Sequence, residues 1–133
     1  RLEAAQMLLP LADDQLPAPE LTDTAEEAAR RAAANRFFPL EKGCFAPRRT
    51  ISRQEMATVA MQACGVNYRN ASSTMPVCTD VDRVANNYGT NAARALYFGF
   101  MQLEADGRFD PERPVSRKEA VEILDRVADF AGL

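Results

Sequence analysis

Three arginines, Arg1, Arg53 and Arg117, each open a stretch in which apolar residues return at i, i+3, i+4 and i+7. Ala4, Met7, Leu8 and Leu11 make the first set, Met56, Val59, Ala60 and Ala63 the second, and Ala120, Ile123, Leu124 and Val127 the third. That period is one face of an α-helix, so each arginine falls in a first helical turn. A cation there opposes the positive end of the helix dipole, at a cost of a few tenths of a kcal/mol to about 1 kcal/mol. A guanidinium beside helix N–H groups is also a bidentate receptor for carboxylate or phosphate, and a bound anion relieves the misfit. The plainer alternative is pairing with a neighbouring Asp or Glu. A second arginine precedes two of these positions by four residues, Arg49 before Arg53 and Arg113 before Arg117. Each is placed as a second prong on the same anion or as the partner of Glu41 or Glu112.

The elements that position these side chains repeat. Gly43, Phe45, Pro47, Arg49, Ile51, Ser52, Arg53 and Glu55 are matched 64 positions later by Gly107, Phe109, Pro111, Arg113, Val115, Ser116, Arg117 and Glu119. Arg1-Leu2-Glu3-Ala4 lies 52 positions before Arg53 and begins a third, partial copy. One such unit cannot bury its apolar face alone and must pack on its siblings, so the fold is read as all-α, built from tandem helix-loop-helix repeats. The 133 residues are read as a single domain. A truncated first copy covers 1–16, a second covers 17–68 and a third covers 69–133. Residues upstream of Arg1 are expected to supply the first half of the first copy.

Ser52 with Glu55, and Ser116 with Glu119, are S-x-x-E capping boxes ahead of the second and third helices. Arg1 to Ala12 is expected to be helical, with Pro10 near its end and Pro17-Ala18-Pro19 as an extended connector. Thr22 or Asp23 is expected to cap an alanine-rich helix over 25–36. Thr79 and Asp80 open the third copy in the same way. An added loop is expected within 82–89, then a helix over 91–100 and a loop from Gln102 to Pro114. Phe45 and Phe109, isolated apolar residues in polar loops, are expected to plug those loops onto the helices.

Composition excludes several function classes. Net charge is −3, so the overall field repels nucleic acid and anionic membrane, and no apolar run approaches the roughly 20 residues needed to span a bilayer. The chain has no His, the commonest general base and zinc ligand. Cys44, Cys64 and Cys78 lack C-x-x-C spacing; in an oxidising setting Cys64 and Cys78 form the most plausible pair, with three small buried thiols as the alternative. A calcium loop starting at Asp106 fails because Arg108 and Arg117 fall where oxygen ligands are required. Nothing pairs two catalytic carboxylates among Asp23, Asp80 and Asp106, so no enzyme, cofactor or metal is expected.

The pattern resembles the S-layer homology module, F-x-D-V, helix, G-x-x-x-G-x-x-D-G-x-F-x-P, T-R-A-E and a second helix. The third copy supplies Cys78-Thr79-Asp80-Val81, Gly99 to Pro111, and Ser116-Arg117-Lys118-Glu119. The second is looser, with Leu21-Thr22-Asp23-Thr24, Asn35 at the first glycine position, Lys42-Gly43, and Ser52-Arg53-Gln54-Glu55. The resemblance implies three repeats packed in a pseudo-threefold bundle and a non-catalytic module on the bacterial cell surface, tethering a longer protein to anionic, often pyruvylated, secondary cell-wall polysaccharide. It places ligand contacts on Arg53, Arg117 and Arg1. Gly43 and Gly107 either let backbone approach the sugar or make turns of positive φ. Arg53→Ala and Arg117→Ala are then expected to weaken polymer binding by about 1–3 kcal/mol with the fold intact. The competing reading is a degenerate copy that keeps the fold and serves as a structural or protein-contact module.

Overall fold

The computed structural model describes residues 1–65, 78–85 and 87–132. The connection between Cys64 and Cys78 therefore lies largely outside the described residues, as does Asn86 within the added loop. The described chain divides into two compact units, Arg1–Thr50 and Ile51–Leu133. Its elements are helical: α1 (Leu2–Leu8), α2 (Glu27–Ala34), α3 (Arg53–Cys64), α4 (Gly89–Tyr97) and α5 (Arg117–Ala131), with 3₁₀ turns at Leu9–Leu11 and Val81–Arg83. Among the described residues there is no strand, and the pairing is limited to two isolated bridges, Glu41 with Cys44 and Ser52 with Pro114. The all-α expectation holds.

In the first unit α1 packs on α2. The expected helix over residues 1–12 is shorter, because Pro10 has no N–H to return to the carbonyl of Gln6. The Leu9 amide takes that carbonyl instead, and the chain tightens into the 3₁₀ turn. In the second unit α3 packs on both α4 and α5. Met56, Val59, Ala60 and Ala63 on α3 are buried, as are Ala120, Ile123, Leu124 and Val127 on α5. These are the residues whose period identified the helices. Phe45 and Phe109 are wholly buried, each contributing about 2–3 kcal/mol of apolar transfer to its unit. Phe98, Phe100 and Phe130 stack and edge together at the far end of α4 and α5.

α2 begins at Glu27, and neither Thr22 nor Asp23 caps it. Asp23 has a different task, described below. At its other end, the Arg36 amide bonds to Ala33 and the Phe37 amide to Ala32, while Gly99 and Phe100 bond to Leu96 and Ala95. These are the paired bonds of a Schellman stop, which needs a left-handed residue. Gly99 meets that need at φ 76°, but in the second copy the residue is Arg36 at φ 59°, not the Asn35 that the sequence alignment puts there. An L side chain in that conformation costs about 1 kcal/mol relative to glycine. Arg36→Gly is therefore expected to stabilise the first unit by about 0.5–1 kcal/mol, visible as a rise of a few degrees in thermal unfolding.

The three cysteines are free thiols. Cys64 and Cys78 are buried, and burial first of all pushes the Cys78 thiol above its ordinary pKa. In place of the Cys64–Cys78 bridge the structure has two buried thiols, and Cys44 is half-buried and not the third buried thiol of the alternative reading.

Candidate functional site

The second unit builds its loop, Gln102 to Pro114, around one carboxylate. Asp80, with 6% of its surface exposed, accepts from the amides of Phe109 and Asp110, both at 2.8 Å. Burial alone raises the pKa of Asp80, yet the two amides outweigh it and hold the carboxyl below its ordinary value. The clamp stabilises Asp110 at φ 57°, which a non-glycine residue seldom adopts. Gly107 at φ 84° turns the chain so that its carbonyl accepts from Thr79, and Phe109 drops into the core.

Arg53 secures the loop from below. It is 5% exposed; its Nε donates to the Phe109 carbonyl at 2.7 Å and its Nη2 to the Gln102 carbonyl at 2.6 Å. Its guanidinium lies 5.1 Å from the centroid of the Phe109 ring, and Glu104 and Glu119 stand 3.8 and 3.7 Å away. Burial pushes its pKa down and the neighbouring Arg113 does the same, while Glu104, Glu119 and Asp110 oppose them. The first amides of α3 are occupied too: Arg53 donates to the Arg113 carbonyl and Gln54 to that of Pro111, both at 3.0 Å. An arginine at a disfavoured helix end is thus explained by the carbonyls it reaches.

Above Arg53 lies a cavity of about 380 Å³, lined among others by Gln102, Glu104, Arg113, Glu119 and Arg126. Arg113 forms its rim and is held hard. Its Nε and Nη2 donate to Glu104 at 3.0 and 2.7 Å, and its Nη1 and Nη2 to the two oxygens of Glu119 at 2.8 Å each. The expected Glu112 pair is not found: Glu112 meets Arg83 at 3.6 Å, and Arg113 pairs with Glu104 and Glu119 instead.

The first unit repeats this construction. Asp23 accepts from Phe45 at 2.9 Å and Ala46 at 2.7 Å, Ala46 sits at φ 55°, and Gly43 turns at φ 77° with its carbonyl accepting from Thr22. Arg1, 7% exposed, donates through Nη1 to the carbonyls of Phe45 and Pro39 at 3.1 and 3.2 Å, 5.7 Å from the Phe38 ring. The backbone nitrogen of Arg1 and the amide of Leu2 donate to Arg49 and Pro47, as their counterparts do to Arg113 and Pro111. The cavity here is about 300 Å³ and is lined by Arg1, Glu41, Lys42, Cys44, Ala46 and Arg49. Arg49 pairs with Glu41 at 3.4 Å, as one of its two expected placements had it.

A carboxylate clamp, a phenylalanine plug and an arginine staple thus occur in register in both units. Residues 79–121, from the clamp to the second turn of α5, match the family model described as S-layer homology domain. Those residues, about a third of the chain, are what is similar to an S-layer homology domain. Such domains are non-catalytic modules that anchor proteins at bacterial cell surfaces. No curated protein matches the chain. Among the described residues no helix is long and apolar enough to cross a membrane, and no group of three His, Cys, Asp or Glu residues is arranged to hold a metal.

Within the two units the arginines picked out in sequence separate into three kinds. Arg1 and Arg53 are buried in the walls of their cavities and bonded to carbonyls. Arg49 and Arg113 are rim residues, and Arg117 is an exposed residue at the head of α5 that does not line the second-unit cavity. Gly43 and Gly107 serve as turns of positive φ and line neither cavity. Ser116 and Glu119 form the full capping box; at Ser52 the hydroxyl accepts from the Glu55 amide at 3.3 Å. Sequence reasoning missed Asp23 and Asp80 as clamps, although the Thr-Asp pair at matched places in both copies was the available signal.

The Arg113 hydrogen bonds pull the Glu119 carboxyl down to about 2, against burial, which pushes it up. A depressed carboxylate stabilises the fold above its unfolded value near 4.5 and loses that contribution as pH falls towards 2. Discounted for partial exposure, the loss is about 1–2 kcal/mol. Urea unfolding at pH 5 and pH 2.5 is expected to show it, and Glu119→Gln is expected to show a smaller acid-dependent fall.

Proposed function

We propose that the chain is a non-catalytic anchoring module that holds a longer surface protein on the bacterial cell wall by binding an anionic secondary wall polysaccharide, including polymers bearing pyruvate ketals. The observation that carries this reading is the S-layer homology match over residues 79–121. The two cavities support it, since each combines a buried arginine with a second arginine at its rim and sits on a loop held by a clamp. In this reading Arg1, Arg49, Arg53 and Arg113 are the groups assigned to an acidic sugar. Arg117, on the surface, contributes a further charge near the helix end. The reading needs no catalytic residue, cofactor, nucleic acid or membrane insertion.

Cosedimentation with purified cell walls tests it. The chain is expected to pellet with walls that carry their polysaccharide, and to stay in solution once the polymer is extracted or its pyruvyl groups are removed by mild acid. Equal recovery from stripped and intact walls would contradict the proposal. A second reading, a module that keeps the fold without the sugar, is favoured by one observation: the rim arginine of the second unit is already neutralised by Glu104 and Glu119. In that case the chain stays in solution with every wall preparation.

A further inference from the structure

The last turns of α4 and α5 carry an aromatic cluster that the cavities do not use. Phe98 stacks on Phe100 with 5.7 Å between ring centroids and meets Phe130 edge to face at 5.1 Å, and Tyr97 meets Phe98 edge to face at 5.2 Å. Phe100 roots the cluster in the core, whereas Tyr97 and Phe130 leave 61% and 46% of their surfaces exposed. Edge-to-face and offset contacts of this kind are favourable beyond simple burial and hold the exposed rings in fixed orientations. Gly99, exposed between Phe98 and Phe100, leaves the space beside them open, since a Cβ there would meet no atom within 4 Å. Arg126, one turn before Phe130 on α5, donates through Nη1 to the Phe100 carbonyl at 3.1 Å and so brings a guanidinium to the edge of the cluster. Arg126 also borders the second-unit cavity, but Tyr97, Phe98, Gly99 and Phe130 line neither cavity.

Size and charge narrow what this surface fits. Tyr97 and Phe130 together expose roughly 200 Å². A stable protein–protein contact takes about 800 Å² from each partner, so the surface suits a small ligand and not a second copy of the chain. The charged residues of the same turns, Arg94 on α4 with Asp125, Arg126 and Asp129 on α5, cancel formally, so the surface gathers neither anions nor cations. Exposed ring faces bordered by hydrogen-bonding groups match a ligand that is apolar on one face and hydroxylated around its rim. The C–H bonds of a sugar ring carry partial positive charge and meet the negative face of an aromatic ring, while its hydroxyls turn outward to donors and acceptors. Resting on the wall-polymer reading for the choice of a polysaccharide, we propose that Tyr97, Phe98 and Phe130 form a stacking platform for an uncharged sugar ring, with Arg126 and Asp129 at its edge to meet hydroxyls. The rings are pinned by one another before any ligand arrives, so little side-chain freedom is lost on binding.

Ring-proton and amide resonances of the full chain, followed while the methyl glycosides of glucose, galactose and N-acetylglucosamine are added one at a time, test this directly. At least one glycoside is expected to shift the rings of Tyr97, Phe98 and Phe130 and the Gly99 amide, and to leave the buried rings of Phe45 and Phe109 unmoved. Tyr97→Ala, a change at a mostly exposed ring, is expected to keep the fold and weaken binding at least fivefold, whereas Tyr97→Phe is expected to retain it. Cyclohexylmethanol, apolar on both faces, is expected to shift the same rings less. No response to any of the three glycosides, an equal response to cyclohexylmethanol, or unchanged binding in folded Tyr97→Ala would overturn the inference. Shifts at these rings that follow protein concentration without sugar would also overturn it, by making a second copy the occupant. If intact walls bind and no glycoside moves the platform, the inference falls while the anchoring proposal stands. If walls do not bind but a glycoside moves the platform, the proposal falls and the stacking site stands.

Discussion

Arg53→Ala is expected to destabilise the second unit by about 3–5 kcal/mol, the range for breaking a buried charged interaction by removing one partner. The substitution removes two short hydrogen bonds and leaves the carbonyls of Phe109 and Gln102 without those donors, next to a void under the Phe109 ring. Glu104 and Glu119 also lose a nearby cation. The sequence leads to an expectation of weaker polymer binding with an intact fold; these contacts add an expected loss of stability. Urea unfolding monitored by far-UV circular dichroism separates the two, because a midpoint unchanged from the parent protein would remove Arg53 from its structural role. Arg53→Lys is expected to fall between, since a single ammonium keeps the charge but cannot span two carbonyls with the geometry of a planar fork.

The second large effect is expected at Asp80. Asp80→Asn replaces a carboxylate that accepts two amides with a group of which only one oxygen can accept, and its NH₂ then faces an N–H donor. The cost is about 2–4 kcal/mol, from two charge-assisted hydrogen bonds in a buried setting. Asp110, held at positive φ by that clamp, loses its restraint in the same step. Denaturant unfolding of Asp80→Asn beside Asp80→Ala measures it. A loss below about 0.5 kcal/mol in both would show that the loop is set by Phe109 and Gly107 without the carboxylate.

The helices were legible because their apolar residues recur with period 3.6, and the faces named from sequence on α3 and α5 are those buried. Helix ends were read less well. Asp23 looked like an N-cap because aspartate before an alanine-rich run usually is one, yet two amides of a distant loop compete for its carboxylate and win. The sequence showed that an arginine recurs at an electrostatically poor place, but not why, because the carbonyls that receive it lie 56 residues away for Phe109 and Arg53. Local reasoning offers a ligand or a neighbouring carboxylate as the partner and cannot name those carbonyls. Arg113 was misplaced for a similar reason: Glu112 adjoins it in sequence, whereas Glu104 and Glu119 reach it only after the loop has folded back.

The capping of α3 by the carbonyls of Pro111 and Arg113 bears on how the polypeptide matures. During synthesis α3 emerges well before the residues that complete its first turn, so it must wait, unfinished, while the whole intervening stretch is translated. Dissection follows the same logic: truncation at the sequence boundary between 68 and 69 severs α3 from the backbone that caps it, whereas truncation between Thr50 and Ile51 leaves those bonds intact.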